Sequence, residues 1–236
     1  MADWQELLSW DVQQAHFNWD TRGRVGPGRL VLANSHLAGL SLEGGYLHRA
    51  LLRDCNLSGA NLQGCGLEDA EFVSCNLDGA RLGMADMDRM RIAGGSYVRT
   101  MFSLSHLDGC VVEGGTFCDA AMVRVTWDGA AVRNADLTRA LMTDGRFERA
   151  TFVGCSLREV DFSRSQPLPK AAGRAVAHDA TFEECDFSGA NLDGLKLRGA
   201  RFHRCRFDGV RGQPIIDGPY VVTGSATDVY ARWGNP

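Results

Sequence analysis

Proline is scarce in this sequence, 6 residues among 236, and two of the six, Pro167 and Pro169, fall in one short stretch. No apolar run approaches the roughly 18 residues a membrane-crossing helix needs, which excludes that class. The opening residues, Met1-Ala-Asp-Trp-Gln-Glu, lack the basic and apolar regions of a signal peptide. There is no Walker loop, no G-x-G-x-x-G, no H-E-x-x-H and no G-x-S-x-G. There is also no C-x-x-C and no histidine at ligand spacing, so no zinc pattern is present. Charge of either sign is nearly balanced, with a net −4, which excludes generic attraction to nucleic acid or an anionic membrane. Carboxylates are plentiful, yet none is placed by its neighbours in an apolar pocket that would hold it neutral for acid–base chemistry. The expectation from these absences is a cytoplasmic protein that is no enzyme, with no metal, no cofactor, no membrane contact and no direct DNA binding.

What the chain does contain is a five-residue repeat. From Ala50 it runs Ala50-Leu-Leu-Arg-Asp, Cys55-Asn-Leu-Ser-Gly, Ala60-Asn-Leu-Gln-Gly, Cys65-Gly-Leu-Glu-Asp, Ala70-Glu-Phe-Val-Ser, Cys75-Asn-Leu-Asp-Gly, Ala80-Arg-Leu-Gly-Met. A small residue opens each block and a large apolar one, the centre, sits third. Neither a helix nor a simple strand repeats every five residues, so the period marks a solenoid. Centre residues hold one phase from Leu32 to Phe162 and resume at Phe182, Phe187, Leu192, Leu197, Phe202 and Phe207.

This block resembles the pentapeptide-repeat family, whose pattern is roughly Ala-(Asp/Asn)-Leu-X-X. The resemblance implies an all-β fold, a right-handed quadrilateral β-helix with four blocks per coil and one block per side. Centres point to the axis and the small residue fills the space beside them, because so narrow an interior admits only Ala, Cys, Ser, Gly or Val there at native packing density. Each coil rests on the last at about 4.8 Å, and no coil buries its own centres alone.

Cys55, Cys65, Cys75, Cys110, Cys155, Cys185 and Cys205 all take the small position, and only Cys118 does not. They read as small buried hydrophobes in place of alanine, and a cytosolic setting keeps them reduced. His36, His48, His106 and His203 fall in outward slots. Trp127 stands at a centre and is expected to bulge its side of the coil unless neighbours shrink.

The organisation expected is an N-terminal helical cap over 1–29, the β-helix over 30–164, a projecting loop over 165–179, the β-helix again over 180–211, and a short C-terminal cap over 212–236. The cap over 1–29 carries Trp4, Trp10 and Trp19; it is either a lid on the first coil, shielding its open strand edge, or an aromatic docking surface. The loop is placed by Pro167, Pro169 and Lys170, none of which suits a buried ladder position. Pro214–Ile216 and Tyr220–Val222 look like a non-helical cap.

Sorting residues by side brings out one column. The residue after each centre on one side reads His48, Glu68, Asp88, Asp108, Asp128, Glu148. Asp69 and Asp86 thicken this stripe, and excising a 15-residue loop would add Glu183 to it. Like charges opposed on adjacent strands destabilise a sheet, so stability alone does not favour the column. Arg89, Arg146 and Arg149 lie on the same side, which leaves a solvated mixed surface as the plain alternative. The family resemblance implies the sharper one, since several members that protect DNA gyrase or topoisomerase from inhibitors are rods with an acidic stripe that mimics DNA. Those members dimerise through a C-terminal helix, and 213–236 does not read as one, so a dimer is left open. Lys170 and Arg174 on the projecting loop are a second candidate contact. Lys196, Arg198, Arg201, Arg204, Arg206 and Arg211 make a basic stretch that is either a nucleic-acid patch or a set of solvated and locally paired side chains. The partner expected is a protein, with DNA gyrase or topoisomerase IV the concrete candidate. The rival is a regulator or scaffold that binds some other protein through a side or a cap.

Overall fold

The computed structural model describes residues 30–163 and 175–224, together with Val229 and Trp233. The expected cap over 1–29 and the loop residues Lys170 and Arg174 lie outside the described residues. One side of the rod is a parallel sheet of ten three-residue strands in chain order. They are β1 (Val31–Ala33), β2 (Leu51–Arg53), β3 (Glu71–Val73), β4 (Arg91–Ala93), β5 (Val111–Glu113), β6 (Ala131–Arg133), β7 (Thr151–Val153), β8 (Thr181–Glu183), β9 (Arg201–His203) and β10 (Val221–Thr223). The other three sides are single parallel bridges between successive coils, such as Asn56↔Asn76, Asn61↔Arg81 and Gly66↔Asp86. We call the sheet side A and the sides that follow it along each coil B, C and D.

The sequence pattern has a direct cause in this backbone. Centres from Leu47 to Phe202 and the small residues beside them form one continuous buried core. A thiol serves better than a methyl in the small slot, because it can donate to the centre carbonyl one coil back. Cys65 does so to the Leu42 carbonyl at 2.9 Å and Cys205 to that of Phe182 at 3.3 Å. Burial pushes the Cys65 thiol up to about 11, so this thiol stays protonated at neutral pH. Thr100 plays the same part with a hydroxyl, donating to the Leu77 carbonyl at 2.7 Å.

The Asp/Asn at the second place of a block is explained by the turn that closes each side. The N–H of the residue after the centre has no backbone acceptor, and the Asx side chain two residues earlier supplies one. Ser58 donates to Asn56 Oδ1 at 3.0 Å, Asp78 to Asn76 at 2.9 Å and Ser188 to Asp186 at 2.9 Å. The fifth residue turns the corner with positive φ, as at Gly59 (65°), Gly79 (66°) and Asp69 (57°). That region costs a residue with a Cβ about 1–2 kcal/mol, which is why glycine is frequent there.

Four expectations are corrected. The insertion is shorter than the span 165–179: Phe152 pairs with Phe182, so this coil takes thirty residues where the others take twenty, and Ala175–Asp179 are back in the stack. Phe147 N–H donates to the Val176 carbonyl, Arg149 N–H to that of His178, and Ala177 is a fully buried centre. An alanine at a centre carries no sequence signal, because alanine is also the commonest small-slot residue. The β-helix also continues past Arg211, since β10 pairs with β9 in register. Beyond it Val229 and Trp233 are helical and buried, so the cap is not wholly non-helical. The Trp233 ring meets Phe207 edge-on at 5.3 Å between centroids and lies near Phe202 and Tyr220. It covers apolar surface that an open rod end would expose. Finally, Trp127 causes no bulge. It is buried, and the ladder beside it is intact, with Trp127 N–H to the Arg146 carbonyl at 2.7 Å and Gly129 N–H to that of Glu148 at 2.8 Å.

Candidate functional site

Side D carries the acidic column, and its geometry follows from the same orphan N–H. In the coil of Asp86 the second-place carboxylate accepts the Asp88 N–H at 3.3 Å. In the next three coils that place is held by His106, Thr126 and Arg146, none of which accepts this N–H. The carboxylate one coil back takes over. Asp88 Oδ1 accepts from Asp108 N–H at 3.0 Å, Asp108 Oδ1 from Asp128 N–H at 2.8 Å, and Asp128 Oδ1 from Glu148 N–H at 3.0 Å. Each aspartate so commits one oxygen to the backbone; the second is engaged by Arg146 at Asp128 and, more loosely, at Asp108.

This arrangement strains the charges it holds. Desolvation first, then the neighbouring Asp86 and Asp108, push the Asp88 carboxyl above the usual carboxylate range, against the pull of the Asp108 N–H. Asp128 is likewise pushed up, mainly by burial, despite the Glu148 N–H and the Arg146 guanidinium. Arg146 Nε sits 2.7 Å from Asp128 Oδ2, with its Nη2 at 3.8 Å from Asp108 Oδ2. Glu68 pairs with His48, and Glu148 has Arg149 at 3.9 Å. Asp69, at the next corner, is held below the usual range by the two-pronged hydrogen bond from Arg89, at 2.9 and 3.0 Å. Asp86 and Asp88 have no ion-pair partner among the described residues.

The structure thus brings Glu68, Asp86, Asp88, Asp108, Asp128 and Glu148 onto one side, with Asp69 and its partner Arg89 along the edge. Glu183 is not among them. It lies on β8 beside Val153, one side away, because the insertion is shorter than the excision that would have placed it on side D. Above Glu148 the same column instead reads His178, Arg198 and Asp217. Arg198 donates from Nη2 to His178 Nδ1 at 3.3 Å, so the opposite ring nitrogen, Nε2, donates to Asp217 Oδ2 at 3.0 Å. Most of the basic stretch is engaged locally. Arg204 pairs with Glu183 and Glu184, Arg206 with Asp208, and Arg211 donates to the Gly189 carbonyl.

Sequence reasoning missed the corner beside this column. On side C the fifth-place residues run Gly44, Gly64, Met84, Leu104; the two large apolar ones are exposed and take φ of 58° and 67°. The signal was present as two apolar residues in slots that elsewhere hold glycine or polar residues.

Among the described residues, no group of three or more His, Cys, Asp or Glu side chains is placed to hold a metal ion, and no helix is long and apolar enough to cross a membrane. Cys118, the one cysteine outside the small slots, is half-buried, donates to Asp136 Oδ2 at 3.3 Å, and is pushed up to about 11 by burial and that carboxylate. It is no nucleophile at neutral pH.

No curated protein matches this chain. Among solved structures, it is similar to HetL, a pentapeptide repeat protein involved in heterocyst differentiation regulation from the cyanobacterium Nostoc sp. strain PCC 7120. That likeness is 22% identical over 77% of this chain and 82% of that one, with a TM-score of 0.40. It is also similar to trypsin-treated QnrB1, a plasmid-mediated fluoroquinolone resistance protein, at 14% identity over 86% of this chain and 94% of that one, with a TM-score of 0.37. A pentapeptide repeat protein of the Arabidopsis thaliana thylakoid lumen is 22% identical over 58% of this chain and 70% of that one, with a TM-score of 0.23. The family model for pentapeptide repeats matches in 8 copies, at residues 31–69, 55–89, 128–165 and 174–211. With the five-residue phase, the buried centres and the four-sided coil, that match makes the chain a member of the pentapeptide-repeat family.

Proposed function

We propose that this protein is a non-catalytic binding rod whose acidic side stands in for duplex DNA on a type II topoisomerase, DNA gyrase or topoisomerase IV, and shields that enzyme from an inhibitor. One observation carries the reading. The backbone at Asp88, Asp108 and Asp128 needs an acceptor but not a charge. Asparagine fills the comparable role at Asn56 and Asn76. Aspartate is nonetheless present in three coils running, at positions where burial and like neighbours disfavour the ionised form at Asp88 and Asp128. A charge kept against the interest of stability is kept for something outside the fold.

The mimicry is partial. Duplex DNA carries one charge per ~1.7 Å, and a column with one carboxylate per ~4.8 Å coil is sparser; Asp69 and Asp86 only partly fill the gap. In this reading Lys170 and Arg174 supply a second contact. The test is a gyrase supercoiling assay with inhibitor, with and without the protein. Activity should be restored by the parent and not by D88N/D108N/D128N, and restoration should fall steeply with added salt, because exposed charges are screened beyond ~8–10 Å. A triple variant that protects as well as the parent would sink the DNA-mimic reading. A second reading, a scaffold for another protein with no topoisomerase role, is favoured by the change of column above Glu148 to His178 and Arg198, which a mimic of uniform DNA does not call for.

A further inference from the structure

Seven large hydrophobic residues are exposed among the described residues, and they are not scattered. Val31, Tyr46 and Val221 lie in the first or last coils, while Met84 (52% exposed), Met101 (41%), Leu104 (45%) and Leu141 (38%) share side C at mid-rod. Met101, Ala121 and Leu141 stack through successive bridges. Met84 and Leu104 stand one above the other at the corner, where Met84 N–H donates to the Ser103 carbonyl and Leu104 N–H to that of Val123. Folding gives no account of these two. At Gly44 and Gly64, the same corner in the coils below, a Cβ would meet nothing within 4 Å. The corner is therefore open at the Cβ, and about half of each side chain stays exposed there, 52% at Met84 and 45% at Leu104. Both residues also adopt the left-handed region that disfavours any Cβ. Two large apolar groups are held in water on a disfavoured backbone, where glycine would serve the fold better.

The next side begins at this corner. Asp86 and Asp88 follow Met84 in its own coil, and Asp108 follows Leu104 in the coil above. We infer that the Met84–Leu104 corner and the adjoining Asp86, Asp88 and Asp108 form one composite docking surface for a protein segment that carries apolar side chains interleaved with Lys or Arg. Charge complementarity selects this occupant: the apolar strip takes the hydrophobic side chains, and the outward carboxylate oxygens beside it take the cations. DNA-like geometry does not require the apolar half, so the surface is built to read a polypeptide. A second copy of this chain is the poorer occupant, since a two-fold contact across this corner would bring the carboxylates toward their own copies. The inference shares with the proposed function only the use of the acidic side, and it does not depend on the partner being a topoisomerase.

The test uses the full chain and three labelled synthetic peptides of equal length: alternating Leu/Lys, alternating Ser/Lys and alternating Leu/Glu. By fluorescence anisotropy, Leu/Lys should bind at least about tenfold tighter than Ser/Lys, and Leu/Glu should not bind. M84G/L104G relieves backbone strain, so it should melt no lower than the parent. It should erase the Leu/Lys advantage and leave Ser/Lys binding unchanged. D86N/D88N should weaken both lysine peptides. Equal binding of Leu/Lys and Ser/Lys by the parent, or an advantage that survives in M84G/L104G, overturns the proposal. So does a parent that sediments as a dimer and turns monomeric in M84G/L104G, which would assign the corner to a second copy. The supercoiling assay scores the topoisomerase reading separately, so a protein that fails there can still pass here.

Discussion

Side D changes character halfway along the rod. Below the insertion its column is Glu68, Asp88, Asp108, Asp128 and Glu148, a ladder in which three carboxylates cap the backbone of the next coil. Above it the same column is His178, Arg198 and Asp217, closed on itself by a ring nitrogen, a guanidinium and a carboxylate. Backbone and interior are alike in the two halves, for the parallel register of the rod runs through both. The outward slots are therefore free to differ in a way the core is not. The lower half carries more carboxylates than its basic neighbours Arg146 and Arg149 offset, leaving Asp86 and Asp88 without an ion pair among the described residues, while the upper column closes on its own partners.

Four experiments test this contrast, and the largest effect concerns the boundary between the halves. Deleting residues 166–178 should abolish cooperative folding, because it removes Ala177 and the carbonyls that Phe147 and Arg149 use. Excising residues 165–174 restores a twenty-residue coil and should leave the melting temperature within about 5 °C of the parent. If both deletions melt alike, the halves are not one continuous stack. That shorter excision also removes Lys170 and Arg174, so it tests their part in partner protection without the cost of unfolding.

Next in size is the shared interior. Ala80→Leu below and Ala190→Leu above fill equivalent, fully buried slots on side C. Each should cost about 1–3 kcal/mol or more, while Gln63→Leu on the outside should be nearly neutral. Chemical denaturation giving unequal costs in the two halves would show that they differ inside as well as out.

The third effect is smaller. D88N/D108N/D128N keeps every backbone acceptor; it removes the like-charge contacts, each worth up to about 1 kcal/mol, and the Arg146 ion pairs with Asp128 and Asp108, worth about 0–1 kcal/mol. We expect a slightly higher melting temperature together with lost partner binding. A drop in stability would mean that the charged hydrogen bonds outweigh the repulsion, and would weaken the case that the charge is kept for function.

The smallest effect is a difference in pH response. Asp88 and Asp128 are raised in the folded state, so the native state holds their protons more tightly than the unfolded chain does. Their penalty is absent below the unfolded carboxylate range, grows as pH rises through the folded values, and is complete at neutrality. Acidification from neutral pH into the unfolded carboxylate range, about 4, should therefore relieve the lower half. Asp217 behaves oppositely. Burial alone would raise it, but the hydrogen bond from His178, with the Arg198 N–H, brings it below the usual range, so its contribution is lost as pH falls through that depressed value. Between pH 7 and about 4 the advantage of D88N/D128N over the parent in thermal melts should shrink, whereas the deficit of D217N should shrink only below about 4, where the Asp217 contribution is lost. An advantage that does not shrink, or a deficit that shrinks first, would refute the assignment.

The interior was legible from the residues because five-residue spacing with one large and one small group per block has one economical packing, and each centre had only to be apolar to be recognised. The column Glu68 to Glu148 was equally legible, since register in a stacked coil follows from counting. Counting failed at the insertion. Ala177 serves as a centre while looking like a small-slot residue, so its membership in the stack is visible only in the hydrogen bonds that Phe147 and Arg149 make beside it. That error carried Glu183 onto the wrong side. Two further features belonged to the tertiary structure alone. Whether a carboxylate caps a backbone N–H or faces water depends on what stands two residues before that N–H in the next coil, as His106, Thr126 and Arg146 do. Whether Met84 and Leu104 are core or surface depends on the corner they turn, because hydrophobicity says that a side chain would gain from burial but not that the chain delivers it to a buried place. The core could be read block by block, because each residue's environment there repeats every five residues; the outer surface depends on contacts between coils, which no single block contains.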